Sequence, residues 1–232
     1  MAFTWCSDYP DLQLVCRAHG RFELSDPDRY CIKIIPSVTQ QGPQCGLVAL
    51  AMCTATPSKE KVAEIFTYAN KEGMTNLGEM FSVDYMYSLA MRFIPESTIE
   101  IHAGSLNVPK LVDFLMSGGT LLVPYDCDKN HTPIMKGGFK AHWAIVFGIV
   151  ESYAGLFVIA KQGKSLNVHI WDLEELSQSN QQLREYENEK SEFGFKYVMP
   201  EGGMGGLNGL CNRCVMIYPN ETTKCYTSVG NS

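Results

Sequence analysis

The stretch GPQCGLVALAMCTA, residues 42–55, sets a cysteine between a tight turn and an unbroken apolar run. That run is too long for a strand and is rich in Leu, Ala and Met, so it reads as a buried helix with Cys45 in its first turn. Thr56-Pro57-Ser58 stops it. A thiol in that position lies among unpaired amide N–H groups at the positive end of the helix dipole, and both favour the nucleophilic thiolate. The other cysteines, at 6, 16, 31, 53, 127, 211, 214 and 225, lack that setting. For them the default is a small buried hydrophobe.

Downstream of the stretch, KEKVAEIFTYANKEG (59–73) carries Val62, Ile65, Phe66 and Ala69 at amphipathic helical spacing. VDYMYSLAMRFI (83–94) reads as a third helix. VPKLVDFLMSGG (108–119) reads as a fourth, with Gly118 and Gly119 as its stop. The pattern then turns to short β-branched and aromatic runs: TLLVPYD (120–126), HWAIVFGIVES (142–152), GLFVIAK (155–161), LNVHIWD (166–172) and FKYVMP (195–200). These are predicted strands, with a helix over 172–188 between the last two and an edge strand in VMIYP near the end. The expected class is α+β, a helical N-terminal half packed on an antiparallel sheet, with chemistry where the Cys45 helix meets the sheet. Residues 1–36, broken at His19-Gly20 and Asp26-Pro27, are expected to form an arm packed on a single domain of 37–232.

Composition narrows the function. The 232 residues are 45% hydrophobic, enough for a full core, and carry a net charge of -6 with both signs interspersed. Phosphate binding needs a concentrated positive surface, so a nucleic-acid binder is excluded. The longest apolar stretch, AIVFGIV (144–150), is too short to cross a bilayer, and no secretory signal opens the chain. An odd number of cysteines, nine, points to a reducing compartment, and the expectation is a cytoplasmic protein with no membrane partner. Cys211-x-x-Cys214 lacks a second pair or a nearby histidine, so neither a metal nor a cofactor is expected.

A thiol nucleophile needs a base, and five histidines are available. His142 opens the strand HWAIVFGIV, from whose end an imidazole can project into a cleft. His131, in the long polar loop DCDKNHTPIMKGG (126–138), is its rival. Cysteine on an early helix and histidine on a strand roughly 100 residues later is the layout of papain-like peptidases, although the fold and not the spacing must bring the two together.

Four blocks, QQGPQCGLVAL (40–50), GEMFSV (78–83), LLVPYDCDKNHTPIMKGGFKAHWA (121–144) and KQGKSLNVHIWDLEELSQSNQQL (161–183), resemble in order the actin maturation protease family. The resemblance implies a papain-like cysteine aminopeptidase that removes the acetylated Met or Cys from the N-terminus of immature actin, with nucleophile Cys45 and histidine His142. It maps the oxyanion-hole glutamine onto Gln40, which fits the pattern Q-x-G-P-Q-C-G, with Gln41 and Gln44 as rivals. In place of the usual Asn or Asp that orients the histidine stands Gln162, whose carbonyl can accept from the imidazole; Asn167 and Asp172 are alternatives. The acidic run of actin N-termini would be met by Lys136, Lys140, Lys161 and Lys164, flanking His142 and Gln162. Family members carry a Pro-rich N-terminal extension that suits profilin-actin, and this sequence shows none. The competing readings are a non-catalytic actin-binding or chaperone module, and another papain-like hydrolase or acyltransferase.

Overall fold

The computed structural model describes residues 3–186, 194, 196–220 and 224–227. Among them are six α-helices and eight strands in an α+β arrangement. The helices are α1 (Pro10–Ala18), α2 (Cys45–Ala51), α3 (Lys59–Lys71), α4 (Val83–Phe93), α5 (Pro109–Met116) and α6 (Leu173–Gln181). Local chemistry sets their starts. Ser58 and Ser82 accept from the backbone N–H of Lys61 and Tyr85 at the heads of α3 and α4, and Asp172 accepts from Glu174 and Glu175 at the head of α6. Pro109 opens α5, where a missing N–H costs nothing.

All strand pairings are antiparallel and centre on β4 (Ala141–Ser152). One edge of β4 pairs with β5 (Gly155–Gln162), which passes on to β6 (His169–Asp172). The other edge pairs with β3 (Thr120–Asp126) along its first half and β1 (Arg29–Ile32) along its second. Beyond β3 lie β7 (Arg213–Ile217) and β2 (Ile99–Ala103), and β8 (Tyr226–Thr227) adds to β1.

Side chains alternate across a strand, so β4 serves two cores. Trp143, Ile145 and Phe147 pack with α1 to α4 on one face, while Ala144 and Val146 pack with α5 and α6 on the other. Residues 141–162 thus form the middle of the molecule, and the start of β4 lies beside the N-terminus of α2.

Several predicted boundaries shift. The helical half also supplies sheet: β1 comes from the segment expected as an arm, and β2 sits between α4 and α5. Both are four or five residues long, too short for alternation to register. VMIYP is no edge, because β7 runs between β2 and β3. Residues 196–200 form no strand: the Lys196 carbonyl accepts from Asn76 and the Val198 N–H donates to Glu79. Phe195 lies outside the described residues. The predicted strand 166–172 begins only at His169, and the predicted helix 172–188 ends at Gln181, with 187–188 outside the described residues. No helix among the described residues is long and apolar enough to cross a membrane.

Candidate functional site

Cys45 is the first residue of α2, and the segment before it is tied to the end of β5 by a hydrogen bond from Gln40 N to Gly163 O of 2.8 Å. The helix approaches β4 closely because residue 46 is glycine: a Cβ there would stand 2.8 Å from Met86 Cε, 3.0 Å from Met80 Cβ and 3.2 Å from Trp143 Cδ1. Trp143 in turn donates from Nε1 to Met80 O at 2.8 Å, locking the start of β4 to the loop before α4.

This packing sets the thiol's electrostatics. Burial is the largest influence on Cys45 and pushes its thiol up from the usual 9.0. The backbone N–H groups of Trp143 and Gly46, the charge of Lys164 and the N–H of Cys45 itself all pull it down, without reversing the balance. The helix-terminal amides therefore act in the direction the sequence implies, but desolvation outweighs them.

His142 is 6% exposed and lies 3.1 Å through Nε2 from Gln162 Oε1. The identity of that oxygen follows from a third group. The backbone N–H of Lys164, which can only donate, is 2.6 Å from the same atom. An acceptor-only oxygen makes His142 Nε2 the donor, so the other ring nitrogen, Nδ1, carries the free lone pair. Burial lowers His142 to about 4; the Gln162 hydrogen bond opposes this, while His131, Lys164 and His169 add to it. Tyr125 meets the ring edge-on at 5.8 Å between centroids, and His131 lies at 5.2 Å.

Cys45 and His142 line one cavity of about 550 Å³. Gln40, Gln41, Lys164 and Glu79 contribute polar groups, and Leu77, Met80, Phe81, Trp143, Tyr186 and Tyr197 form the apolar wall. Phe81, Tyr186 and Tyr197 make a closed triangle with centroid separations of 4.7, 5.6 and 5.6 Å. Glu79, 3% exposed, is the cavity's carboxylate and is fully engaged. It accepts from Thr75 Oγ1, Asn76 N, Leu77 N and Val198 N at 2.7 to 3.1 Å. A larger hollow of about 640 Å³ opens elsewhere beside Lys33 and contains Cys53, but no histidine lines it.

The remaining predicted residues divide. Gln40 lines the cavity, with Nε2 donating to Gly42 O at 2.7 Å and Oε1 buried without a partner among the described residues. Gln41 lines it too, while Gln44 packs its Cγ against Gly78. Of the alternatives to Gln162, Asp172 is spent on the α6 cap, and Asn167 is exposed, its N–H on Ser165 Oγ. Lys164 lines the cavity, and Lys136 and Lys140 are exposed on the loop before His142, whose backbone is held by Asp126. Lys161 departs from the expected ring of lysines. It is 4% exposed and points to the opposite face of β5, where its ammonium donates to Ile35 O and stands over the Tyr9 and Phe147 rings. Alternation along β5 forces this, since Gln162 takes the other side.

Sequence reasoning did not pick out Glu79, the aromatic triangle, Tyr125 or His169. Glu79 in GEMFSV and His169 in LNVHIWD carried the only available signal, a polar residue inside an apolar block. Cys211 and Cys214 do not converge: Cys211 Sγ donates to Gln181 O and Cys214 is buried in the sheet.

A family model described as "Actin maturation protease-like, C-terminal domain" matches residues 35–150. This chain is similar to the protein named actin maturation protease of Drosophila melanogaster, 36% identical over 217 residues, covering 92% of this chain and 80% of the relative. The Mus musculus protein of that name is 34% identical over 81% of this chain and 63% of its own length. The Homo sapiens protein is 30% identical over 81% and 65%. The chain thus spans somewhat under two thirds of the two mammalian relatives and four fifths of the fly protein. With the matched model covering both Cys45 and His142, and with identity sustained over most of the chain, the protein belongs to the actin maturation protease-like family.

Proposed function

We propose that this protein is a papain-like cysteine aminopeptidase that removes an acetylated N-terminal Met or Cys from immature actin. The observation that carries the reading is that Cys45 and a neutral, Gln162-oriented His142 line one cavity, in a chain whose relatives are named for actin maturation. The proposed catalytic groups all lie within residues 37–232, and the described part of 1–36 joins the same unit through β1, which pairs with β4.

The thiol pushed up and the imidazole held down make the resting pair neutral. Catalysis then begins with transfer of the Cys45 proton to His142 Nδ1 as the sulfur attacks the carbonyl of the terminal residue. The imidazolium formed is stabilised by the Gln162 oxygen. The oxyanion is held by the backbone N–H of Cys45 and by the Gln40 amide, whose second N–H is not used by Gly42. His142 passes its proton to the leaving amine, which departs as the new actin N-terminus. Water, deprotonated by His142, then attacks the thioester and releases the acetylated amino acid and free thiol.

A blocked terminus suits this cavity better than a free one. Recognition of an α-ammonium needs a carboxylate with spare acceptor capacity, and Glu79 has committed both oxygens to four donors. Lys164 adds positive charge near Cys45, unfavourable for an ammonium and favourable for the acidic run that follows the cleaved bond. Lys140 and Lys136 extend that charge outward along the loop, whereas Lys161 has no part in it. The apolar wall matches a Met or Cys side chain, and nine free thiols suit a reducing cytoplasm. Free actin or profilin-actin would serve as the macromolecular substrate.

The test is incubation of the purified protein with an acetylated actin N-terminal peptide, its unacetylated twin and a Cys45→Ala control. Loss of one acetylated residue by mass, from the blocked peptide only and not with the control, is expected. Cleavage by a folded Cys45→Ala variant, or equal cleavage of the free-amine peptide, would refute the assignment; binding of actin without any cleavage would favour the non-catalytic module.

A further inference from the structure

Gln162 has a second contact on the side away from His142. Its amide lies 3.3 Å from Nε2 of His169, the first residue of β6. Because the Lys164 N–H fixes which amide atom is oxygen, the atom facing His169 is the NH2 nitrogen, a donor. His169 Nε2 must then accept, which requires a neutral ring with its proton on Nδ1. The protein environment favours that state: burial lowers His169 to about 4, with His131 and His19 acting in the same direction. The ring rests beside Trp171 at 5.4 Å between centroids, so its plane is set by packing. Gln162 is 1% exposed, and an amide N–H released there would find no water.

We propose that His169 is a positioning residue: by accepting the Gln162 amide N–H it keeps the Gln162 oxygen on His142 and so holds His142 in the tautomer whose Nδ1 is free. Without that acceptor Gln162 either buries an unpaired N–H or leaves its place. Turned over, it would present N–H to His142 Nε2 and impose the Nδ1–H tautomer, which cannot take the thiol proton. It would also set its own N–H against that of Lys164. The catalytic consequence rests on the Cys45–His142 reading, whereas the tautomer itself does not.

The experiment compares wild type with His169→Phe, which keeps a ring against Trp171, and His169→Gln, whose carbonyl restores an acceptor. Ring nitrogen NMR at pH 7 on histidine-labelled protein should show His142 protonated on Nε2 in wild type and His169→Gln, and a mixture of tautomers in His169→Phe. In peptide cleavage, His169→Phe should lose about tenfold in kcat with KM little changed, and His169→Gln should recover most of it. An unchanged His142 tautomer in folded His169→Phe, or equal impairment of both variants, would overturn the proposal. Should His169→Phe fail to fold, wild type alone decides: His169 must itself carry its proton on Nδ1, and an Nε2-protonated His169 rules the contact out. If no peptide is cleaved but the tautomers behave as stated, the assigned reaction is wrong and the positioning role stands.

Discussion

Alkylation of Cys45 as a function of pH separates a neutral dyad from a preformed thiolate–imidazolium pair. A thiol at the ordinary value of 9.0 is about 1% thiolate at pH 7, and burial places Cys45 below that fraction. His142, lowered to about 4, is about 1% protonated at pH 6 and supplies no positive charge to drag the thiol down. The rate of modification by iodoacetamide should therefore climb about tenfold per pH unit from 6 to 8 and show no plateau below pH 8. An ion pair would already be thiolate at pH 6 and would react at least about 100-fold faster at pH 7 than the neutral dyad. The assay is peptide mapping after short exposures, following the Cys45 peptide, with half-buried Cys211 and Cys225 as internal comparators. A flat rate between pH 5 and 7 at Cys45 would refute the claim that desolvation outweighs the amides of Trp143, Gly46 and Cys45 in the free protein.

Three further outcomes are expected. Gln40→Ala should cost about 10²–10³ in kcat with little change in KM, and Gln44→Ala should be milder, since Gln44 packs on Gly78; steady-state kinetics on the acetylated peptide that gave the reverse ranking would move the oxyanion role. Lys164→Gln should raise KM for an acidic peptide and flatten the rise of KM with salt, while Lys161→Gln, altering a buried ammonium on Ile35 O, should instead lower the melting temperature; equal effects of the two on KM would contradict the cavity assignment. Both His142 and His169 titrate near 4 in the fold against 6.5 unfolded, so the unfolded state binds more protons between those values and stability must fall as pH drops from 6.5 to 4. At pH 5 the loss is about 2 kcal/mol per histidine, and chemical denaturation of His142→Phe and His169→Phe should each show a shallower pH dependence than wild type.

What could be read before the fold was known was local. GPQCG followed by an apolar helix fixes Cys45 at a helix start because turn chemistry and helical propensity act over a few residues. HWAIVFGIV fixes His142 at a strand start for the same reason. The long amphipathic helices α3 and α4 and the strands β3 to β5 were legible because their periodicity repeats several times. The four-residue β1, the five-residue β2 and the irregular chain at 196–200 give no such repeat, and neighbours across the sheet or the Glu79 carboxylate decide their conformation. The same limit governed the site. The letters named Gln162 as one of three partners for His142, but only the pairing of β4 with β5 puts it 3.1 Å from the imidazole while Asp172 caps a helix. Four lysines looked equivalent in sequence, yet pleating turns Lys161 to the far face of β5 and leaves Lys164 in the cavity. The largest reversal concerns charge: a helix N-terminus argues for a thiolate, and the packing of Met80, Met86 and Trp143 around Gly46 makes desolvation the stronger influence. Turn chemistry and helix position belong to the sequence, whereas burial is a sum over residues distant along the chain, so only the tertiary structure could decide the protonation state of Cys45 and His142.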